Sequence, residues 1–178
     1  MTQAAPDLLL GLIGDNIAVS QAPRLHRLAG LQNGREVTYD RLVPRELGQD
    51  HARQLEALAA AHPNIHAVTA DVTDESAVRA MFDAAGRCDI VIANAGASAS
   101  APFTRTPLDT WRQMVEVNLT GTFLTLREGA IRLKGADWGR LVAIASTAGL
   151  KGYPYASAYA AAKHGAVGLV RSAALELA

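Results

Sequence analysis

Arg140-Leu-Val-Ala-Ile-Ala-Ser146 is followed, thirteen residues after its serine, by Tyr159-Ala-Ala-Ala-Lys163. Leu141–Ala145 is a short apolar run, the pattern of a buried strand. Ser157–Leu177 is long and Ala/Leu-rich, the pattern of a helix. The same alternation precedes it. Ile65–Ala70 reads as a strand, and Asp74–Ala85 as a helix ending at Gly86. Ile90–Ala93 is a nearly all-apolar strand closed by Asn94-Ala95-Gly96. Thr106-Pro107-Leu108-Asp109 reads as a helix start: a capping hydroxyl, proline at the first helical position and an acid near the positive dipole end. That helix runs to about Lys134. Three strand–helix repeats predict an α/β fold, a doubly wound parallel sheet with helices on both faces.

Upstream, Leu8–Ile13 reads as a strand stopped by Gly14-Asp15-Asn16. Pro23–Leu31 suits a short helix, Glu36–Tyr39 a second strand, and His51–Ala61 a helix closed by Pro63-Asn64. The chain has 178 residues, of which 49% are hydrophobic and 19% charged, enough apolar material to bury a core. Seventeen basic residues balance seventeen acidic ones, with 5 basic and 6 acidic up to residue 50 and 12 and 11 after it, far from the basic excess that a nucleic-acid or anionic-membrane surface needs. Such a surface is therefore not expected. A single cysteine, Cys88, excludes an internal disulfide and a cysteine-based zinc site, and none of the five histidines forms a His-x-x-x-His pair. No metal site is expected. Leu8–Ile13 is too short to span a bilayer, and the residues before it carry Asp7 and no basic residue, unlike a signal peptide. The expected location is the cytoplasm.

Chemistry concentrates near the opening stretch. On a helix, Tyr159 and Lys163 share one face. An ammonium beside a phenol favours phenolate, which suits Tyr159 for proton exchange with a carbonyl/alcohol pair. Independent usage would give about 0.07 such Tyr/Lys spacings in a chain of this composition. The plain alternative is a surface tyrosine stacked on a lysine stem. Ser146 lies at the carboxyl end of its strand, where parallel sheets place ligands, and its hydroxyl can donate to a developing alkoxide. Asn94-Ala95-Gly96 ends a strand and would line the same crevice. Asn118 sits inside a long helix, a mildly unfavourable place for asparagine. Taken singly, these are ordinary turn and surface residues.

Residues 52–178 resemble the short-chain dehydrogenase/reductase family. The resemblance lies in Asp71-Val72 after a strand, Asn94-Ala95-Gly96, Asn118 in Val-Asn-Leu-Thr-Gly-Thr-Phe, Ser146 in Ala-Ser-Thr-Ala-Gly, and Tyr159-x-x-x-Lys163. It implies a Rossmann-like sheet and hydride transfer between NAD or NADP and a small carbonyl/alcohol substrate, with a 3-oxoacyl or 3-hydroxyacyl thioester as one candidate. It further implies that Tyr159 exchanges the proton and touches the coenzyme, that Lys163 tunes it and binds the nicotinamide ribose, and that Ser146 orients the substrate oxygen. Asn118 would hold a water in the relay. Asp71 and Val72 would contact adenine, and Asn94, Ala95 and Gly96 would line the cofactor cleft. Members of the family commonly dimerise through two long helices, here Thr106–Lys134 and Ser157–Leu177.

The resemblance is partial. The family's Thr-Gly-x-x-x-Gly-x-Gly turn, which seats pyrophosphate at a helix N-terminus, has no counterpart beyond Gly11-Leu-Ile-Gly14. The strands, loop and lid that follow the Tyr/Lys helix in the family are not expected here either. Residues 1–50 are instead similar to the start of the shikimate/quinate dehydrogenase substrate-binding domain. The matching text is Gly11-Leu-Ile-Gly14-Asp-Asn-Ile17, Ser20-Gln-Ala-Pro23 and Val37-Thr-Tyr39, with Ala22 at a position where that family has a second serine. That resemblance makes Ser20 and Tyr39 candidate substrate contacts. The expectation is thus an incomplete Rossmann-like sheet over residues 51–178 behind a different segment over 1–50, chimeric or truncated. The rival functions are a shikimate/quinate-type dehydrogenase and an inactive remnant serving at most as a partner subunit.

Overall fold

Two parallel ladders organise the chain. β1 (Leu8–Ile13) pairs with β2 (Val37–Leu42), from Leu8 opposite Val37 to Ile13 opposite Leu42. β3 (Ile90–Ala93) pairs with β4 (Arg140–Ala143), from Ile90 opposite Arg140 to Ala93 opposite Ala143. The computed structural model describes the backbones of these first two strands, residue 60 and residues 66–177. The chain divides into two compact units, Met1–Ala67 and Val68–Ala178. Within the first, β2 begins one residue later and ends three residues later than the sequence suggests. The expected helix Pro23–Leu31, and that over His51–Ala61 apart from residue 60, lie outside the described residues.

The second unit opens with two side-chain turns. The Asp71 carboxylate accepts from the Thr73 N–H at 2.8 Å and the Thr73 hydroxyl at 2.7 Å. Those bonds hold Asp71 below the usual carboxylate range. Asp74 caps α1 (Glu75–Ala85), accepting from the Ser76 hydroxyl and from the Ser76 and Ala77 N–H groups. Its carboxyl is likewise lowered, the Ser76 hydroxyl bond first among the causes. The helix ends at Gly86, whose φ of 69° lies in the region that favours glycine. The expected strand Ile65–Ala70 does not form over residues 66–70. Apolar text alone does not make a strand; ladder partners do, and among the described residues β3 is laddered to β4.

β3 alternates. Val91 and Ala93 are buried, while Ile90 and Ile92 face the other way and are about half exposed. Val91 joins Val78 and Phe82 of α1 and Leu124 in one apolar core, with Val72, Met81, Cys88 and Leu141 packed against it. Val78 and Phe82 meet there because residues four apart share a helix face.

The predicted helix to Lys134 is present but has three parts. α2 (Leu108–Val115) leads into a π turn, Glu116–Thr120, and then α3 (Gly121–Leu133). Its start differs from the expectation. Pro107 is the cap residue itself, and the Thr106 hydroxyl donates to the Pro102 carbonyl at 3.1 Å instead of capping the helix. The preceding 3₁₀ turn, Phe103–Arg105, supplies that closer acceptor. α3 presses on the sheet at Gly129, where a Cβ would stand 2.9 Å from Leu141 Cδ2 and 3.0 Å from Val91 Cγ2. Arg132 ties α3 to α1, pairing with Asp83 and with buried Glu128. α4 (Ser157–Leu177) has the predicted bounds. It buries Ala158, Ala162 and Ala166, a small-residue stripe that brings it close to α2, to the π turn and to the 3₁₀ turn Thr147–Gly149. No helix among the described residues is long and apolar enough to cross a membrane.

Candidate functional site

The carboxyl ends of β3 and β4 lie side by side, and the loops leaving them are tied to the long helices behind. Asn118 makes the first tie. It is fully buried in the π turn, a helix irregularity that recurs at functional sites. Its Nδ2 donates to the Ala97 carbonyl at 2.8 Å and the Met114 carbonyl at 3.0 Å, and its Oδ1 accepts from the Ala97 N–H at 3.3 Å. One side chain thus supplies the loop after β3 with the donor and acceptor that a neighbouring strand would give. An asparagine facing solvent, the plain reading of the sequence, is overturned.

Gly96 explains how Asn118 comes so close. A Cβ at Gly96 would stand 2.9 Å from Asn118 Oδ1 and 3.8 Å from Lys163 Nζ. Three of the predicted site residues, Gly96, Asn118 and Lys163, therefore converge. Asn94 and Ala95 continue the same strand end and are exposed.

Lys163 makes the second tie. Its side chain crosses from α4 to the end of β4, and Nζ donates to the Ile144 carbonyl at 2.9 Å. The residue is 4% exposed, which is rare for lysine. Burial pushes its ammonium below the usual lysine range. Nζ lies 5.9 Å from the Tyr159 ring centroid. The i,i+4 expectation is met, with one element the spacing did not reveal: the ammonium is anchored by backbone from another strand.

Ser146 follows Ile144 by two residues. It is half-buried, and its Oγ accepts from the Ala148 N–H at 3.1 Å, capping the turn Thr147–Gly149. That turn rests on α4. A Cβ at Gly149 would stand 2.8 Å from the Lys163 carbonyl oxygen, and a backbone atom cannot swing away as a side chain can. Ser146 and Lys163 are thereby linked through one close backbone contact.

The other candidates are more dispersed. Asp71 is exposed in its turn. Val72 packs over Gly121 at the start of α3, its Cγ2 2.8 Å from where a Cβ there would stand. Tyr39 lies on β2 opposite Leu10, in the first unit. Ser20 lies outside the described residues. The sequence reading missed the π turn and the role of Ala97. An asparagine in mid-helix was the only signal for the first, and an alanine offers none for the second.

A family model described as short chain dehydrogenase matches residues 38–178. (-)-trans-Carveol dehydrogenase of Rhodococcus erythropolis is 50% identical over 118 residues, covering 62% of this chain and 42% of that protein. The 2-dehydro-3-deoxy-L-rhamnonate dehydrogenase (NAD(+)) of a Sphingomonas strain is 39% identical over 131 residues, covering 69% of this chain and 53% of that protein. The chain thus spans about half the length of these relatives. Among solved structures, an NAD+-bound xylitol dehydrogenase superposes with a TM-score of 0.67 at 28% identity, covering 94% of this chain and 64% of that one. ElxO with NADP bound, 24% identical with a TM-score of 0.67, covers 97% of this chain and 68% of its own and shares the fold. The parallel sheet with helices packed along it is the Rossmann-like α/β arrangement of these structures, and the chain belongs to the short-chain dehydrogenase family.

Proposed function

We propose that the chain acts as an NAD(P)-dependent oxidoreductase on a small alcohol or carbonyl compound. The observation that carries this reading is the convergence of a buried ammonium, Lys163 Nζ, on the Tyr159 ring, the Ile144 carbonyl and the side-chain-free face of Gly96. An ammonium has three donors. Ile144 is its one hydrogen-bond partner among the described residues, so two donors are left for vicinal hydroxyls such as those of a ribose. The open backbone at Asn94–Gly96 would border the same group. These residues fit the nicotinamide half of the coenzyme, and Asp71 and Val72 would meet its adenine half.

A bound nicotinamide supplies the hydride acceptor or donor. The chain supplies the proton and the geometry. The Tyr159 phenol gives its proton to the substrate oxygen in reduction and takes it back in oxidation. Ser146 Oγ already accepts from Ala148, which leaves its own proton to donate to that oxygen. Lys163, with Nζ 5.9 Å from the Tyr159 ring centroid, would hold the coenzyme's ribose beside that phenol. Both amide protons of Asn118 are spent on Ala97 and Met114, and its backbone carbonyl already accepts from the Thr122 hydroxyl at 2.9 Å, so a relay water would meet the remaining acceptor capacity of Oδ1.

Fluorescence titration of the purified chain with NADH and NADPH tests this. Saturable binding in the micromolar range is expected, and the tighter of the two identifies the coenzyme. No binding up to millimolar concentrations by a chain with a folded circular-dichroism spectrum would refute the reading and favour the inactive remnant.

The reading includes a homodimer through the two long helices. Trp111, Phe123 and Ile131 on the α2–α3 helix and Leu175 and Leu177 on α4 are exposed apolar side chains that a second copy can cover. Sedimentation at micromolar concentration is expected to give twice the chain mass; a strictly monomeric species would remove this part.

A further inference from the structure

Tyr155 has a φ of 64° and is the one non-glycine residue with a positive φ among the described residues. A bulky L-residue adopts this left-handed conformation only under constraint. Such strain points to function when packing does not explain it. Two bonds supply the constraint. The Tyr155 carbonyl accepts from the Ala101 N–H at 2.9 Å, in the loop leaving β3. The neighbouring Tyr153 hydroxyl donates to Thr147 Oγ1 at 2.9 Å, in the turn leaving β4. Residues 153–155 therefore bridge the two strand-end loops that hold Gly96 and Ser146.

Those bonds fix the backbone but give no reason for a tyrosine. Glycine or asparagine would adopt the same φ at lower cost. Packing gives no reason either, because Tyr155 is 64% exposed. The two loops it bridges carry other exposed apolar side chains. Leu150 is 69% exposed, Phe103, two residues beyond the Ala101 bond, is 81% exposed, and Tyr153 is exposed too. Ligand sites combine such apolar walls with a few placed polar groups, and the polar groups here are Ser146 and Tyr159.

We propose that Tyr155, with Tyr153, Leu150 and Phe103, forms an aromatic and apolar rim that selects secondary alcohols or ketones with a ring or branched hydrocarbon body over polyols. The proposal rests on the oxidoreductase reading, because it takes Ser146 and Tyr159 as the reacting end. The ring of Tyr155 offers a flat face to a saturated ring, and the left-handed backbone holds that face at the mouth of the site.

The test compares the full chain with Tyr155→Gly, Tyr155→Asn and Tyr155→Phe. Cyclohexanol and xylitol are the probes, and binding is read by saturation-transfer NMR. Cyclohexanol is expected to bind wild type and Tyr155→Phe equally, and the glycine and asparagine variants at least tenfold more weakly. Xylitol is expected to bind all four equally weakly. The glycine variant should melt at or above the wild-type temperature, because it relieves the strain. Equal cyclohexanol affinity in wild type and Tyr155→Gly would overturn the rim. So would no cyclohexanol binding to wild type, or a clear fall in the melting temperature of Tyr155→Gly, which would mean that the ring packs. Coenzyme-dependent oxidation of cyclohexanol is followed in parallel. The expected binding pattern with no oxidation by any of the four would sink the oxidoreductase reading and leave the rim standing.

Discussion

Tyr159→Phe is expected to lower kcat on a secondary alcohol by about 10²–10⁴-fold, the usual contribution of a positioned general acid/base. The melting temperature should stay within about 1 °C, as surface and near-surface changes that break no contact do. The asymmetry follows from the structure. Tyr159 is half-buried, and phenylalanine keeps the ring against Lys163. No hydrogen bond from another described residue holds the Tyr159 hydroxyl, so its removal orphans nothing in the fold. Coenzyme affinity should be unchanged, because Lys163 keeps its bond to Ile144. Steady-state kinetics, a thermal melt and the NADH/NADPH titration together check the result. Retained turnover would mean that another group carries the proton.

The second large effect is on stability. Asn118→Ala removes the two Nδ2 bonds and the bond to Oδ1, and strands the Ala97 N–H, the Ala97 carbonyl and the Met114 carbonyl. Leaving buried polar groups unpaired costs about 1–3 kcal/mol each, part of which water recovers at the loop. Truncation of a fully buried side chain adds a cavity cost. A loss of about 3 kcal/mol is expected, read as a lower urea midpoint at unchanged slope. The loop after β3 is also released, so coenzyme affinity should fall by at least about tenfold, equivalent to 1.4 kcal/mol. Asn118→Asp keeps the size but replaces both donors with a buried acceptor, and should be the worse of the two. A loss under about 1 kcal/mol in Asn118→Ala would show that water replaces the side chain, and the bracing role assigned to it would fail.

Both effects bear on what was legible in the sequence. α4 and β3 could be bounded correctly because their signals are local: an alanine-rich face, an apolar run, and glycine or asparagine after it. The stop at Gly86 was legible for the same reason, whereas Asp74, expected as the first helical residue, is the cap before Glu75. The strand expected over Ile65–Ala70 was not, because a strand depends on neighbours that its own residues do not encode. The start at Thr106-Pro107 was misread by one position, because a nearer acceptor at Pro102 draws the hydroxyl away. In the site, the Tyr159/Lys163 pairing could be read from helical spacing. Its anchoring at Ile144, and the approach of Gly96 to Asn118, join segments far apart in the chain, where no local pattern reports contact.

The π turn has a further consequence. One extra residue in a helix resets its angular phase by about 100°, the angle per residue of a 3.6-residue turn. α2 and α3 are therefore indexed separately: Asn118 can point to the strand-end loop while Gly129 points to the sheet. A single deletion within Glu116–Thr120 would return the element to a continuous α-helix and leave α3 in its present phase, because it removes the residue that the wide turn absorbs. Tightening the turn with all its residues kept would instead rotate every side chain downstream by about 100° and off its partner. The wide turn is what lets one helix send Asn118 to the strand-end loop without displacing Gly129 from the sheet.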